Sequence, residues 1–153
     1  MLQRIQTLYL LIAAIIMGSI LFIPYGEIIL KDTQIVKVTS LGTRVAAGDT
    51  ITVFRTYPVF VIALLSFLVT IVSIFLYKKR ILQIRLCVLN FILVLSTTGL
   101  MFLYIYRAAK YFDAKVYHGF LMVLPLVAAI LLWLAIRAIG KDEALVRSVD
   151  RIR

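Results

Sequence analysis

The sequence has 153 residues, of which 63% are hydrophobic and 16% charged, with a mean hydropathy of +1.07. Soluble chains average about 45–50% apolar and about 25% charged residues. A soluble globular domain is therefore excluded, as are a disordered chain, a collagen-like rod and a coiled coil. The net charge is +10, from 17 Lys and Arg against 7 Asp and Glu. In a soluble protein that balance would point to nucleic acid. In a chain this apolar it marks the flanks of membrane spans, so the expected partner is a bilayer with anionic headgroups and not nucleic acid.

Four apolar runs contain no Asp, Glu, Lys, Arg or His: Leu8–Ile23, Val59–Tyr77, Leu86–Tyr106 and Gly119–Ile136. A spanning helix needs about 20 predominantly apolar residues, and about 17 suffice. The first run reaches that length with Gln6, Thr7 or Pro24 at its edges. Met17-Gly18-Ser19 lies inside it and Phe22-Ile23-Pro24 is a poor small-residue cleavage site, so it reads as a retained span and not a signal peptide. The expected fold is an all-α membrane protein, a four-transmembrane-helix bundle with a small antiparallel β-sheet in the first extracytoplasmic loop. It forms a single domain over 1–153, with helices at about 6–24, 58–77, 85–115 and 118–139.

Between the first two helices, residues 25–57 change character. Glu27–Leu30, Gln34–Thr39 and Thr50–Arg55 are rich in β-branched residues, with Gly42 and Gly48-Asp49 as turns. Three or four strands are expected, since a lone hairpin would be marginal. The segment Arg107–Lys115 has no Gly or Pro, which predicts that the third helix continues outward and reverses near His118-Gly119. Tyr25, Tyr57, Tyr104, Tyr106, Tyr111 and Tyr117 fall at this outer end and read as an interfacial aromatic belt. Pro125, placed inside the fourth helix, predicts a kink.

Orientation follows from the basic residues. Arg4, then Lys78, Lys79, Arg80 and Arg85, then Arg137, Lys141, Arg147, Arg151 and Arg153 fall on one side, ten in all. Lys31, Lys37, Arg44, Arg55, Arg107, Lys110 and Lys115, seven in all, fall on the other. The Lys78–Arg85 turn is the densest basic cluster and carries no acid. Both termini are therefore expected in the cytoplasm. The residues of this inner face, from Lys78 to Arg153, form a candidate surface for anionic lipid or a partner. The tail 141–153 reads as a short amphipathic helix on that surface, with Leu145, Val149 and Ile152 on one face and Glu143–Arg147 and Arg147–Asp150 spaced for pairing.

The spans themselves offer little chemistry. Ser66, Thr70 and Ser73 share a face of the second helix with Ala63, and the third offers Asn90, Thr97 and Thr98. Small and hydroxyl side chains let membrane helices approach and bond across, so these six residues read as a helix-packing polar seam. A polar substrate channel is the alternative. Against it, the runs lack the ionisable groups on which coupled transporters and proton relays depend. Cys87 is the single cysteine and His118 the single histidine. That count excludes an intrachain disulfide, the cysteine pairs of a thiol oxidase, and a Cys/His metal cluster. No catalytic constellation is legible, and no cofactor is expected.

The opening Gln3–Leu11, the turn Gln83–Cys87 and the ending Ala135–Ile139 with Lys141-Asp142-Glu143 and Leu145–Ser148 resemble a family of small bacterial four-span membrane proteins described only as a domain of unknown function. The resemblance covers essentially the whole chain. It implies a bacterial inner-membrane setting and supplies no activity, ligand or site. The layout also resembles claudin-type four-helix architecture, without the outer-loop cysteine pair and tryptophan motif of claudins, so only the arrangement is analogous. The functional expectation is a non-enzymatic accessory or structural subunit of a larger membrane complex. The alternative is a small transporter or lipid-handling protein.

Overall fold

The computed structural model describes residues 2–29, 35–45, 55–77 and 79–150. Four helices run through it: α1 (Leu2–Phe22), α2 (Tyr57–Phe75), α3 (Arg80–Phe112) and α4 (Leu124–Asp150). All four are long and apolar enough to cross a membrane. Each packs on its neighbour in sequence, and α1 closes the ring against α4. Up-and-down connectivity follows from the one short link, between α2 and α3, at one end and the sheet at the other.

The faces that meet are narrow stripes. On α2 the buried residues are Val59, Ala63, Ser66, Thr70 and Ser73. On α3 they include Gln83, Cys87, Asn90, Val94, Thr97 and Met101. Spacings of three and four keep each set on one side of its helix. The large aliphatic side chains point the other way, with Leu65, Leu68, Val72, Leu89, Ile92 and Ile130 all exposed. The α2–α3 seam is thus lined largely by small and polar side chains with large aliphatic ones facing outward, while Leu10, Met17, Ile20, Leu132 and Ile139 fill the core from α1 and α4.

At one end of the bundle sits a four-stranded antiparallel sheet. It comprises β1 (Gly26–Ile29), β2 (Ile35–Val38), β3 (Thr43–Val45) and β4 (Lys115–His118), in the order β3-β2-β1-β4. Three strands come from the first loop. Of the three segments expected there, the first two match β1 and β2, while most of Thr50–Arg55 lies outside the described residues. Ser40 Oγ donates to the carbonyl of Leu21 at 2.8 Å, filling one of the acceptors left open where α1 ends. Thr56 Oγ1 donates to the carbonyl of Thr39 at 2.7 Å, tying the start of α2 to the same turn. Tyr25, Ile28, Val36 and Val38 join Ile105, Ala108, Ala109 and Met122 in one continuous core. The sheet therefore rests on the projecting end of α3.

Several sequence expectations are corrected. The third helix ends at Phe112 and not near residue 115. Asp113 adopts the left-handed conformation (φ 49°) and its N–H bonds Ala109 O, a C-terminal cap. The next residues pair with β1, from Ile29↔Lys115 to Gly26↔His118. Open hydrogen-bonding groups on β1 outweigh helix propensity here, and Val116 and Tyr117 suit a strand. The third helix also starts at Arg80, so Arg80 and Arg85 lie on its first turns and not in a loop.

The fourth helix starts at Leu124, after a 3₁₀ turn at Phe120–Met122. Pro125 therefore stands in the first turn, where no backbone N–H is needed, and the expected kink has no cause. The helix then passes through Gly140 without interruption to Asp150. The predicted separate tail helix is instead the last turns of a single rod, about 40 Å long at 1.5 Å per residue. Leu145 and Val146 are exposed on it, while Ile152 and the side chains of Arg147, Val149 and Asp150 lie outside the described residues.

Candidate functional site

The polar seam closes on Asn90. Ser66 Oγ donates to Asn90 Oδ1 at 2.7 Å, and Asn90 Nδ2 donates to Thr70 Oγ1 at 2.7 Å. Thr70 Oγ1 in turn donates to the carbonyl of Ser66, one turn back, at 2.8 Å. All three side chains are fully buried. A single amide thus bridges α3 to two consecutive turns of α2. In an apolar interior each unmet polar group is costly, so closure of this ring favours one pairing of the two helices.

The other seam residues divide. Ser73 Oγ donates to the carbonyl of Val69 at 2.7 Å, and the Ser73 carbonyl accepts from Gln83 Nε2 at 3.0 Å. Gln83 is a further α2–α3 bridge that sequence reading missed. Its signal was present, because Gln83, Cys87 and Asn90 share one face of α3. Thr97 and Thr98 are buried, but they donate to the carbonyls of Leu93 and Val94 in their own helix.

Where α1 starts and α4 ends, the structure brings Lys79, at the N-cap of α3, and Arg80 and Arg85, on its first turns, close to the projecting turns of α4. Arg80 Nη1 donates to the main-chain carbonyl of Asp142 at 3.4 Å. Arg137 holds its guanidinium 5.5 Å from the centre of the Trp133 ring, a cation–π arrangement, and Lys141 is exposed nearby. The Arg147 backbone lies on α4, and its side chain is outside the described residues. So are Lys78, Arg151 and Arg153.

This end also contains a buried acid. The side-chain amide of Gln6 on α1 donates to Asp142 Oδ2 on α4, and both side chains are buried. A fourth helix ending at about 139 and a separate tail helix over 141–153 leave Gly140 as a boundary and Asp142 at a helix start. With α4 continuous, Asp142 falls on the same face as buried Ala135 and Ile139.

At the sheet end the aromatic belt is corrected at one position. Tyr57, Tyr106, Tyr111 and Tyr117 are exposed and Tyr104 is half-buried, but Tyr25 is wholly buried. Burial, reinforced by Tyr104, holds its phenol well above the ordinary range, and Thr56 acts in the opposite direction. Thr56 and Tyr104 are its polar neighbours, yet no hydrogen bond of acceptable geometry reaches its hydroxyl among the described residues. No group of three or more His, Cys, Asp or Glu is placed to hold a metal among the described residues.

A family model described as "Domain of unknown function (DUF4293)" matches residues 2–152. The chain belongs to this family. The description carries no activity, so membership assigns the sequence to a group without assigning chemistry to a side chain. No curated protein matches the chain.

Proposed function

We propose that this DUF4293 member is a multi-pass protein of the bacterial inner membrane, serving as a non-enzymatic accessory or structural subunit of a larger membrane complex. The Ser66–Asn90–Thr70 ring carries the reading. The strongest polar groups of the spans are engaged in holding α2 to α3, which leaves the outer surfaces and the two ends for recognition. The exposed aliphatic faces suit lipid or neighbouring helices as solvent, and would be an aggregation liability in water. The same ring weighs against a transporter or lipid carrier, whose pathway would need those polar atoms to face a cavity.

The experiment is mild-detergent extraction from cells expressing the protein at native level, after crosslinking, with mass spectrometry of what co-purifies. A reproducible membrane partner in near-equal amount is expected. Recovery of the protein alone overturns the subunit role.

Orientation belongs to the same proposal. The basic excess supports a cytoplasmic position for the termini and the Lys79–Arg85 and Arg137–Lys141 segments, with the sheet outside. Reporter fusions after residues 30 and 112 then read outside, and fusions after residues 80 and 153 read inside. An inside signal at residue 40 reverses the arrangement.

A further inference from the structure

Where the last turns of α4 pass the first turns of α3, they leave a groove of about 580 Å³ whose walls include Lys79, Arg80, Arg85, Ile81, Leu82 and Val146. A second hollow of about 450 Å³ adjoins it, sharing Ile81, Arg85 and Glu143 and adding Ile84 and Gly140. These volumes fall in the range of small-molecule sites, about 300–1,000 Å³. Three cations face one carboxylate, that of Glu143, so an anion is favoured. The remaining wall is aliphatic, and Ile81, Leu82 and Val146 are substantially exposed. A purely ionic surface would not need them.

The depth of the groove is informative. The apolar run of α3 begins at Leu86 and that of α4 ends at Ile136. At 1.5 Å per residue, Ile84 and Gly140 lie only about 3 and 6 Å beyond those limits. The headgroup layer on each side of a bilayer is about 5–7 Å thick. The inner hollow therefore sits at headgroup level. Along α3, Ile81, Arg85, Val88 and Ile92 follow one another at spacings of four, three and four, on one face, and all are exposed. Basic and apolar groups thus give way within one helical face to an apolar track at Val88, Ile92 and Leu95.

We propose that this α3–α4 groove is a discrete binding site for one anionic phospholipid, with the phosphate held among Lys79, Arg80 and Arg85 and an acyl chain laid along Val88 and Ile92. Charge selects the headgroup, and the apolar track requires the phosphate to carry a chain. The inference rests on the reading of the four helices as spans, and not on the subunit role. It narrows a diffuse basic surface to a single groove. The neighbouring α1–α4 groove, lined by Arg137 and Lys141, has its Arg137 guanidinium already set over Trp133.

The test uses the full chain purified in neutral detergent, with bound lipid counted by native mass spectrometry as phosphatidylglycerol or phosphatidylethanolamine is added. Lys79→Gln with Arg85→Gln removes two cations and keeps Arg80, which bonds the Asp142 carbonyl. Arg137→Gln with Lys141→Gln removes two from the other groove. Helicity by circular dichroism checks that the variants fold, and alkaline extraction of membranes checks insertion separately. We expect one phosphatidylglycerol per wild-type chain, bound about 25-fold more weakly by the first pair, at about fivefold per basic residue, and almost unchanged in the second. Equal loss in both pairs means diffuse attraction and overturns the site. So does equal retention of phosphatidylethanolamine, or no retained lipid. Displacement of the lipid by millimolar inorganic phosphate makes it a phosphate site and overturns the lipid assignment. Loss of membrane insertion in the wild type removes the span reading itself.

Discussion

Gln6 and Asp142, 136 positions apart, are joined by a buried hydrogen bond from the Gln6 amide to the Asp142 carboxylate. The bond fastens the first turns of α1 to the projecting part of α4. Arg80, at the start of α3, bonds the main-chain carbonyl of the same Asp142. Three of the four helices thus meet at one residue, beyond the apolar part of the bundle. A buried carboxylate depends heavily on the donors that reach it, and among the described residues Gln6 is one.

Asp142→Ala is therefore expected to cost about 1–3 kcal/mol, because it leaves the Gln6 amide buried without its acceptor. Gln6→Ala should cost a similar amount. The double variant should fall short of the sum by about 1–2 kcal/mol, since the second change removes a group already without its partner. Unfolding of the purified protein by graded denaturing detergent measures all three. Full additivity would show that the two side chains do not stabilise each other.

Asn90 offers a second test, at the α2–α3 seam. Double-mutant cycles for hydrogen bonds between membrane helices average about 0.6 kcal/mol and reach about 1.7. Asn90 makes two such bonds, so Asn90→Leu should destabilise by about 1–3 kcal/mol. Ser66→Ala and Thr70→Ala should each cost less than this, because each removes one bond across. Thr97→Val should cost less again, since Thr97 bonds only within its own helix. If Thr97→Val costs as much as Asn90→Leu, packing volume and not bridging governs the seam.

The four spans were legible because apolar runs of this length have few other solutions, and the Ser66–Thr70–Ser73 face because a helix imposes its period on any contact. What escaped was set by tertiary contact. Lys115–His118 reads locally as the continuation of a helix and becomes a strand because β1 presents an unpaired edge to it. Asp142 reads as a helix start until Gly140 is seen to lie within a continuous α4. Tyr25 reads as one of six interfacial tyrosines, and only the sheet folded over it shows that it belongs to the core. Gln83 shares the Asn90 face by spacing alone, but its position between Arg80 and Arg85 makes it read as part of a basic turn.

Close approach of backbones at the sheet end gives a third prediction. A Cβ at Gly119 would stand 2.9 Å from the main-chain oxygen of Tyr25, whereas at Gly26 it would strike the tip of the Ile105 side chain. Backbone yields less readily than a side-chain tip, so Gly119→Ala should destabilise more than Gly26→Ala, and both by more than about 1 kcal/mol. Gly99, in the middle of α3, has open space where its Cβ would be. Gly99→Ala should therefore stabilise by up to about 1 kcal/mol through helix propensity alone. Melting temperatures of the three variants, taken together, give the order. A destabilising Gly99→Ala would mean that its helix face is covered in the native membrane.

Tyr25 yields a prediction about pH. An unfolded chain releases the phenolic proton near pH 10, while burial keeps it on the folded chain to higher pH. Above pH 10 the unfolded state therefore binds fewer protons than the folded state, and stability falls as pH rises. Below pH 10 both states hold the proton and Tyr25 contributes no slope. The melting temperature of the wild type should accordingly drop more steeply above pH 10 than that of Tyr25→Phe, with the difference between the two curves isolating this one group. At neutral pH the same substitution should change stability by less than about 1 kcal/mol, because the hydroxyl makes no well-formed hydrogen bond among the described residues. Parallel alkaline limbs would show that the phenol meets water in the folded protein, and that the sheet does not seal the end of the bundle.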